Sequence, residues 1–262
     1  MSYISVSIVV VSLNTRIQFL HTMNSIANQK NKDFEVIVVD GESKDGTVDE
    51  ILKLKNKINK LIIEKDEGIY DAMNKGIKLA SGKWIMFLNS GDTFFNDYVL
   101  ENIFSKGTYD KDVLYGDTII KSNNIKYSSL SKNFDNQTII MPFCHQSCFV
   151  KNEILKKNLF NTNYKLSADF NLFNKLYLKQ NNFQKINQFV STVISGGVAD
   201  QKRQQVLNEN IIIIKKSRTK KNLYSLYLLK LTQYLKDVLK IFLPKKIWLL
   251  ILKAKYRKRI TQ

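Results

Sequence analysis

Through the first ninety or so residues, solid apolar runs alternate with segments of helical spacing. Ile4 to Leu13 is almost unbroken apolar chain, which suits a strand covered on both faces, and Asn14 ends it. No basic stretch precedes it and no small-residue cleavage site follows, so it reads as a first strand rather than a signal peptide. Arg16 to Gln29 places Ile17, Leu20, Met23 and Ala27 along one helical side. Phe34 to Val39 predicts a second strand, closed by Asp40-Gly41. Thr47-Val48-Asp49-Glu50 has the form of a capping box that opens the next helix. Leu61 to Ile63 is a short third strand running into Asp66-Glu67-Gly68. Tyr70 to Leu79 is helical, with Ser81-Gly82 as its C-cap. Trp84 to Leu88 is a fourth strand that stops at Asn89-Ser90-Gly91-Asp92. The order βαβαβαβ implies a parallel sheet with right-handed crossovers.

Beyond Asp92 the pattern loosens. Asp97 to Phe104 predicts a helix, and Val113 to Tyr115, Thr118 to Ile120 and Ile139 to Met141 predict short strands of a mixed sheet. Lys151 to Asn158 and Ala168 to Lys179 have helical spacing, and Phe183 to Ile194 predicts a late strand ending at Gly196-Gly197. Residues 1–200 form one expected domain and residues 201–262 a basic helical tail.

Position gives this pattern its chemical content. Asn14, Asp40, Asp66 and Asp92 all fall at or just past the C-terminal ends of predicted strands. In a parallel sheet those ends share one edge, where ligands bind. Single Asp and Asn residues are ordinary turn formers and helix caps. Several converging on one crevice make a candidate binding site.

Composition narrows the rest. Hydrophobic residues make up 44% of the chain, enough for a full core, and disorder is excluded as its general state. Cys144 and Cys148 provide no disulfide framework and fit a reducing compartment. Cys144-His145-Gln146-Ser147-Cys148 resembles half a zinc site, but His21 is the one further histidine and a second cysteine pair is absent. Of the net charge of +18, residues 201–262 carry +15, seventeen Lys and Arg against Glu209 and Asp237. Residues 1–200 are therefore nearly neutral and the tail carries the field.

Three ordered motifs carry a family resemblance. Val38-Val39-Asp40-Gly41-Glu42-Ser43-Lys44-Asp45-Gly46-Thr47, Glu67-Gly68-Ile69-Tyr70-Asp71-Ala72-Met73-Asn74-Lys75-Gly76 and Phe87-Leu88-Asn89-Ser90-Gly91-Asp92 resemble family 2 glycosyltransferases of the GT-A fold. The likeness covers roughly residues 4–200 and is greatest to the bacterial branch that builds capsule, O-antigen and exopolysaccharide. It implies an α/β fold, Rossmann-like, with a mostly parallel central sheet and helices on both faces. It also implies an inverting transfer of one sugar from a nucleotide donor, UDP-linked, without a covalent sugar–enzyme intermediate.

The resemblance assigns residue roles. Asp40 is expected to accept a hydrogen bond from the nucleotide base, or else to cap its loop. Asp45 either contacts the nucleotide or orders the loop; Asn14 either lines the base pocket or turns the strand end. Asp66 and Gly68 begin a loop over the sugar nucleotide, and Asn74 on the following helix contacts it or packs. Asp92 is the expected ligand of a divalent cation, Mg²⁺ or Mn²⁺. The family places several aspartates here; this chain keeps one, so the diphosphate must supply much of the coordination. Asp169, in Leu166-Ser167-Ala168-Asp169-Phe170, matches the catalytic acid motif, with Ala168 where Glu is frequent; its alternative is a helix N-cap. His145 and Gln146 are candidates for acceptor contact, or for packing. Lys202 or Arg203 is within sequence reach of a phosphate beside Gly196-Gly197. Gln201 to Gln205 matches poorly the Gln-Arg-Trp signature of processive synthases, which favours single addition.

In the tail, Leu223, Tyr227, Leu231, Tyr234, Leu235, Val238 and Phe242 share one helical side until Pro244. Ile247 to Leu252 is too short an apolar run to span a bilayer, and Lys253 to Arg259 is a basic cluster. Apolar stripes with basic flanks read as helices lying in an anionic membrane interface, with part of the segment packed on the domain instead. No nucleic-acid motif accompanies the charge. The expected protein therefore sits peripherally on the cytoplasmic face of the cell membrane and glycosylates a lipid-linked glycan. A sugar nucleotidyltransferase and a non-catalytic membrane scaffold are the rival readings.

Overall fold

The computed structural model describes residues 5–105, 109–122, 125–135, 137–217 and 221–242, without the side chains of 221, 222 and 240–242. Its first half follows the expected alternation: β1 (Val6–Ser12), α1 (Arg16–Ala27), β2 (Phe34–Asp40), α2 (Thr47–Lys53), β3 (Lys60–Ile63), α3 (Ile69–Leu79) and β4 (Trp84–Phe87). Then come β5 (Thr93–Phe94), α4 (Val99–Phe104), β6 (Val113–Ser122), β7 (Ile125–Ser129), β8 (Cys148–Lys151), α5 (Asn152–Lys157), α6 (Ala168–Leu178) and β9 (Phe183–Ile194). Three helices end the described chain: α7 (Val198–Gln201), α8 (Arg203–Lys216) and α9 (Lys221–Phe242).

Among the described residues the strands form one sheet in the order β3-β2-β1-β4-β8-β6-β9-β5, with β7 also on β6. β1, β2, β3 and β4 are parallel, whereas β8 runs antiparallel to both β4 and β6. The alternating side chains of β1 explain the two layers. Val9 and Val11 enter a core with Met73 and Ile77 of α3, Phe170 and Leu176 of α6, and Leu207 and Ile211 of α8. Ile8 and Val10 enter the opposite core with Phe19, Met23 and Ile26 of α1, Ile51 of α2 and Ile103 of α4. Both faces of the central strands are dry, as their apolar runs require.

Several local expectations are corrected. Val113 to Tyr115 and Thr118 to Ile120 are one strand, β6, whose pairing to β9 shifts register around Asp117. Ile139 to Met141 is not a strand; its residues pack against the core while Asn210 Nδ2 donates to Ile139 O. Thr47 does not head a capping box: Gly46 is the N-cap of α2, and the Glu50 carboxylate accepts from Arg16 Nη2 at 2.6 Å. Gly82 is not a left-handed cap; a Cβ there would lie 2.7 Å from Ser7 N, so it permits close backbone contact instead. Past residue 200 part of the tail packs on the domain, as expected of part of it: α8 buries Val206, Leu207, Ile211, Ile213 and Ile214. Pro244, Ile247 to Leu252 and the cluster from Lys253 to Arg259 lie outside the described residues.

Candidate active site

The C-terminal ends of β1, β2 and β4 are joined by short polar contacts. Ser12 and Asp40 are register partners, and Ser12 Oγ donates to Asp40 Oδ2 at 2.7 Å. Asp40 is fully buried; Ser43 N donates to Oδ1 at 2.7 Å and Ser43 Oγ to Oδ2 at 2.8 Å. The Asn14 N–H in turn donates to Ser43 Oγ, and Asn14 Oδ1 accepts from Lys44 N. Asn14 has φ +51°, so it turns the strand end in the left-handed region that Asn tolerates. Thr15 Oγ1 donates to Ser90 Oγ at 2.8 Å, which ties this loop to the turn after β4.

Asp45 is exposed and orders its loop: it accepts from Thr47 Oγ1 and N and from the Arg16 N–H. The Thr47 hydroxyl and then the Arg16 amide hold its carboxyl below the usual carboxylate range. Asp66 pairs with Lys75 Nζ at 2.6 Å, and its Oδ2 would lie 3.0 Å from a Cβ built on Gly41. Burial pushes the Asp66 carboxyl up against the pull of Lys75. Lys75 also reaches Glu64 and Asp71, at 2.9 and 3.4 Å. Burial opposes that ammonium, but Asp66 and Glu64 outweigh it and hold its proton more tightly than in water. Gly68 has φ +126°, with open space where a side chain would be. Asn74 has both ends of its amide engaged with the Phe160 backbone, each bond 2.9 Å, so it clamps the chain before α6 instead of reaching into the crevice.

The second cluster brings together four expected residues from three separate segments. Gly91, at φ +105°, makes the turn that delivers Asp92, and the Gly91 N–H donates to Thr22 Oγ1. Asp92 is buried and accepts from Gln146 Nε2 at 3.1 Å. Burial raises its carboxyl to about 6, against the opposing effects of His145, Gln146 and the Ile194 N–H. Gln146 is itself oriented by Cys144, whose S–H donates to Oε1 at 2.7 Å. Burial and then the Asp92 charge push the Cys144 thiol up to about 12, so it stays protonated as that donor requires. His145 Nδ1 lies 3.1 Å from Asp169 Oδ2, and His145 Nε2 is buried without a hydrogen-bond partner. Asp169 Oδ1 accepts from the Phe170 N–H at 2.7 Å and lies 3.2 Å from Tyr70 Oη. Ser167, not Asp169, is the N-cap of α6.

Asp92 and Asp169 are therefore each met by one of two consecutive residues, Gln146 and His145. His145–Ser147 is a 3-10 turn leading straight into β8. Because β8 runs opposite to β4, its beginning lies beside β4's end, and the two segments meet on one edge. Tyr70 and Cys144 make contacts that the sequence reading did not assign: Tyr70 lies inside the second motif, and Cys144 stood out there only as part of a stretch resembling half a zinc site.

A hard cation is tested by the donors present. Among the described residues no group of three His, Cys, Asp or Glu side chains is placed to hold a metal. One desolvated carboxylate, Asp92, stands at the strand end, with Asn89 Oδ1 three positions before it buried and unpartnered. That set fits a cation shared with an oxyanion ligand rather than one caged by protein alone.

A sheet parallel through β1 to β4, with helices on both faces and acidic residues gathered at its carboxyl edge, is the arrangement of the GT-A class. Residues 7–181 match Glycosyl transferase family 2, and the chain belongs to that family. A PGL/p-HBAD biosynthesis glycosyltransferase of Mycobacterium bovis is 32% identical over 170 residues, covering 63% of this chain and 66% of the relative, just short of two thirds of its length. An uncharacterized glycosyltransferase of Rickettsia conorii is 31% identical over 206 residues, 72% of this chain and 33% of the relative. Among solved structures, S. aureus TarS 1-349 has a TM-score of 0.60 at 20% identity, covering 86% of this chain and 71% of that one. The mannosyltransferase PcManGT of Pyrobaculum calidifontis, in complex with GDP-Man and Mn²⁺, has a TM-score of 0.62 at 16% identity, covering 81% of this chain and 63% of that one. These structural likenesses establish the fold.

Proposed function

We propose that this protein is an inverting glycosyltransferase that moves one sugar from a nucleotide sugar, UDP-linked, to a lipid-linked glycan of the cell surface. The observation that carries the reading is the junction of Asp92 and Asp169 through Gln146 and His145 at the sheet's carboxyl edge. In this reading Asp169 accepts the proton of the acceptor hydroxyl as that oxygen attacks the anomeric carbon. His145 holds one Asp169 oxygen in place and Tyr70 flanks the other. The Asp40 and Asp66 loops take the nucleotide side, with the open backbone at Gly68 facing the donor. Asp92 and Asn89 would hold Mg²⁺ or Mn²⁺ together with the diphosphate. When bound, that ion offsets negative charge on the leaving nucleotide. Relatives are named PGL/p-HBAD biosynthesis glycosyltransferases, which supports glycosyl transfer.

Membrane-surface attachment through α9 completes the proposal. No described helix is long and apolar enough to cross a membrane. Yet Tyr224, Tyr227, Leu231, Tyr234, Leu235 and Leu239 of α9 are exposed, on a segment rich in Lys and Arg. Anionic lipid on the cytoplasmic face fits both features. The deciding experiment measures UDP release from UDP-glucose, UDP-galactose and UDP-GlcNAc with Mn²⁺ or EDTA. At least one donor is expected to turn over with metal. Pyrophosphate release from a nucleoside triphosphate and free sugar phosphate, with no donor turned over, would replace the reading.

A further inference from the structure

We propose that Glu209, on α8, is a positioning residue for the loop that presents Asp169. Residues 165–167 lead into α6, Ser167 being its N-cap. A single carboxylate collects the backbone N–H groups of all three. Lys165 N donates to Glu209 Oε1 at 3.0 Å, Leu166 N to Oε2 at 3.0 Å and Ser167 N to Oε2 at 2.8 Å. The N-cap Ser167 makes no capping bond of its own; its hydroxyl donates to Val206 O, one helical turn before Glu209. On the same loop Tyr70 Oη lies 3.2 Å from both Leu166 O and Asp169 Oδ1. The neighbouring Asn210 holds Ile139 O, on the segment that leads to His145. Adjacent residues of α8 thus grip the two stretches that carry the Asp169–His145 pair.

The placement is unusual for its surroundings. Glu209 is one of two acids among seventeen Lys and Arg in residues 201–262, yet it faces backbone amides. Bonds from N–H to an ionised carboxylate are stronger than neutral ones and fix the amide plane. A reacting group displaced by about 1 Å can lose about 10²-fold in rate, so a support of this kind acts on turnover and not on donor affinity.

The inference rests on Asp169 being the base, so Asp169→Asn is measured in parallel. UDP release is followed with whichever UDP-sugar of the panel turns over fastest, and UDP binding by calorimetry. Glu209→Gln is expected to lower kcat by roughly 10- to 100-fold with donor KM and UDP affinity unchanged. Amide hydrogen exchange should rise at residues 165–167 while the core of α6 stays protected. Glu209→Asp, which keeps the charge, should regain part of the lost kcat and serves if Glu209→Gln does not fold. Wild-type kcat in folded Glu209→Gln beside an inactive Asp169→Asn overturns the inference alone. Equal damage to kcat and donor KM overturns it too, because support of the whole fold would act that way. An active Asp169→Asn removes the base reading and this inference together.

Discussion

At the scale of single residues, two carboxylates at this edge have opposite surroundings. Asp169 keeps both oxygens hydrogen-bonded in a polar setting. Replacing it by Asn is expected to lower sugar transfer by about 10²- to 10⁴-fold while UDP affinity, read by calorimetry, stays near wild type. Asp92 is desolvated, and its carboxyl is raised from 3.8 to about 6. The folded chain then binds more protons than the unfolded chain between those values, so this group's contribution to stability falls as pH rises through that window and is constant above it. Asn does not titrate. In EDTA, the stability difference between Asp92→Asn and wild type should therefore grow by about 2–3 kcal/mol, in favour of the variant, from pH 4 to pH 7. Denaturant melts at the two pH values measure it, and a difference independent of pH would contradict the burial assigned to Asp92. The ionised Asp92 carboxylate thus lowers the stability of the unliganded protein.

At the scale of elements, a buried acid of another kind holds β2 to the sheet. Glu35 accepts from Ser7 Oγ of β1 at 2.6 Å, from Ser81 N and Oγ, and pairs with Lys60 of β3 at 2.9 Å. Burial alone would raise its carboxyl, but the Ser7, Ser81 and Lys60 donors outweigh it and bring it from 4.5 down to about 2. Its stabilisation is therefore full above pH 4.5 and is lost as pH falls toward 2. Glu35→Gln should cost about 2–3 kcal/mol at pH 7, with the deficit closing in acid, as denaturant titration at several pH values would show. The apolar runs and turn residues of β1 to β4 made this half of the fold legible, since strands buried on both faces leave an unmistakable pattern. The second half was less so. The shift in register around Asp117 divides β6 into two apparent strands. β8 is four residues long, and its pairing is decided by neighbours remote in sequence. Asp92 and Asp169 could be named from their motifs. Glu209 could not, because its meaning depends on three amides some forty positions earlier and its own neighbourhood reads as a basic tail.

At the scale of the whole molecule, charge and exposed apolar surface coincide at the C-terminal end. Leu226 is buried in the core, whereas Leu231 and Leu235 are 55% and 52% exposed, so α9 is anchored on one side and uncovered on the other. Leu231→Ser with Leu235→Ser should leave the fold intact and cut cosedimentation with phosphatidylglycerol vesicles by about tenfold or more, given the worth of burying two leucines. Raised salt should weaken what remains. Binding that ignores both changes would detach α9 from any lipid role. A last consequence follows from the reversed direction of β8. A strand pointing the other way lets the stretch before it, rather than after it, contribute to the shared rim, so residues 144–147 and the turn after β4 meet at one edge from unconnected parts of the chain. Under the proposed activity, what is glycosylated can then diversify by rewriting the later stretch while the handle on the nucleotide is inherited unchanged, and exchanging 131–147 between relatives should switch acceptors without switching donors.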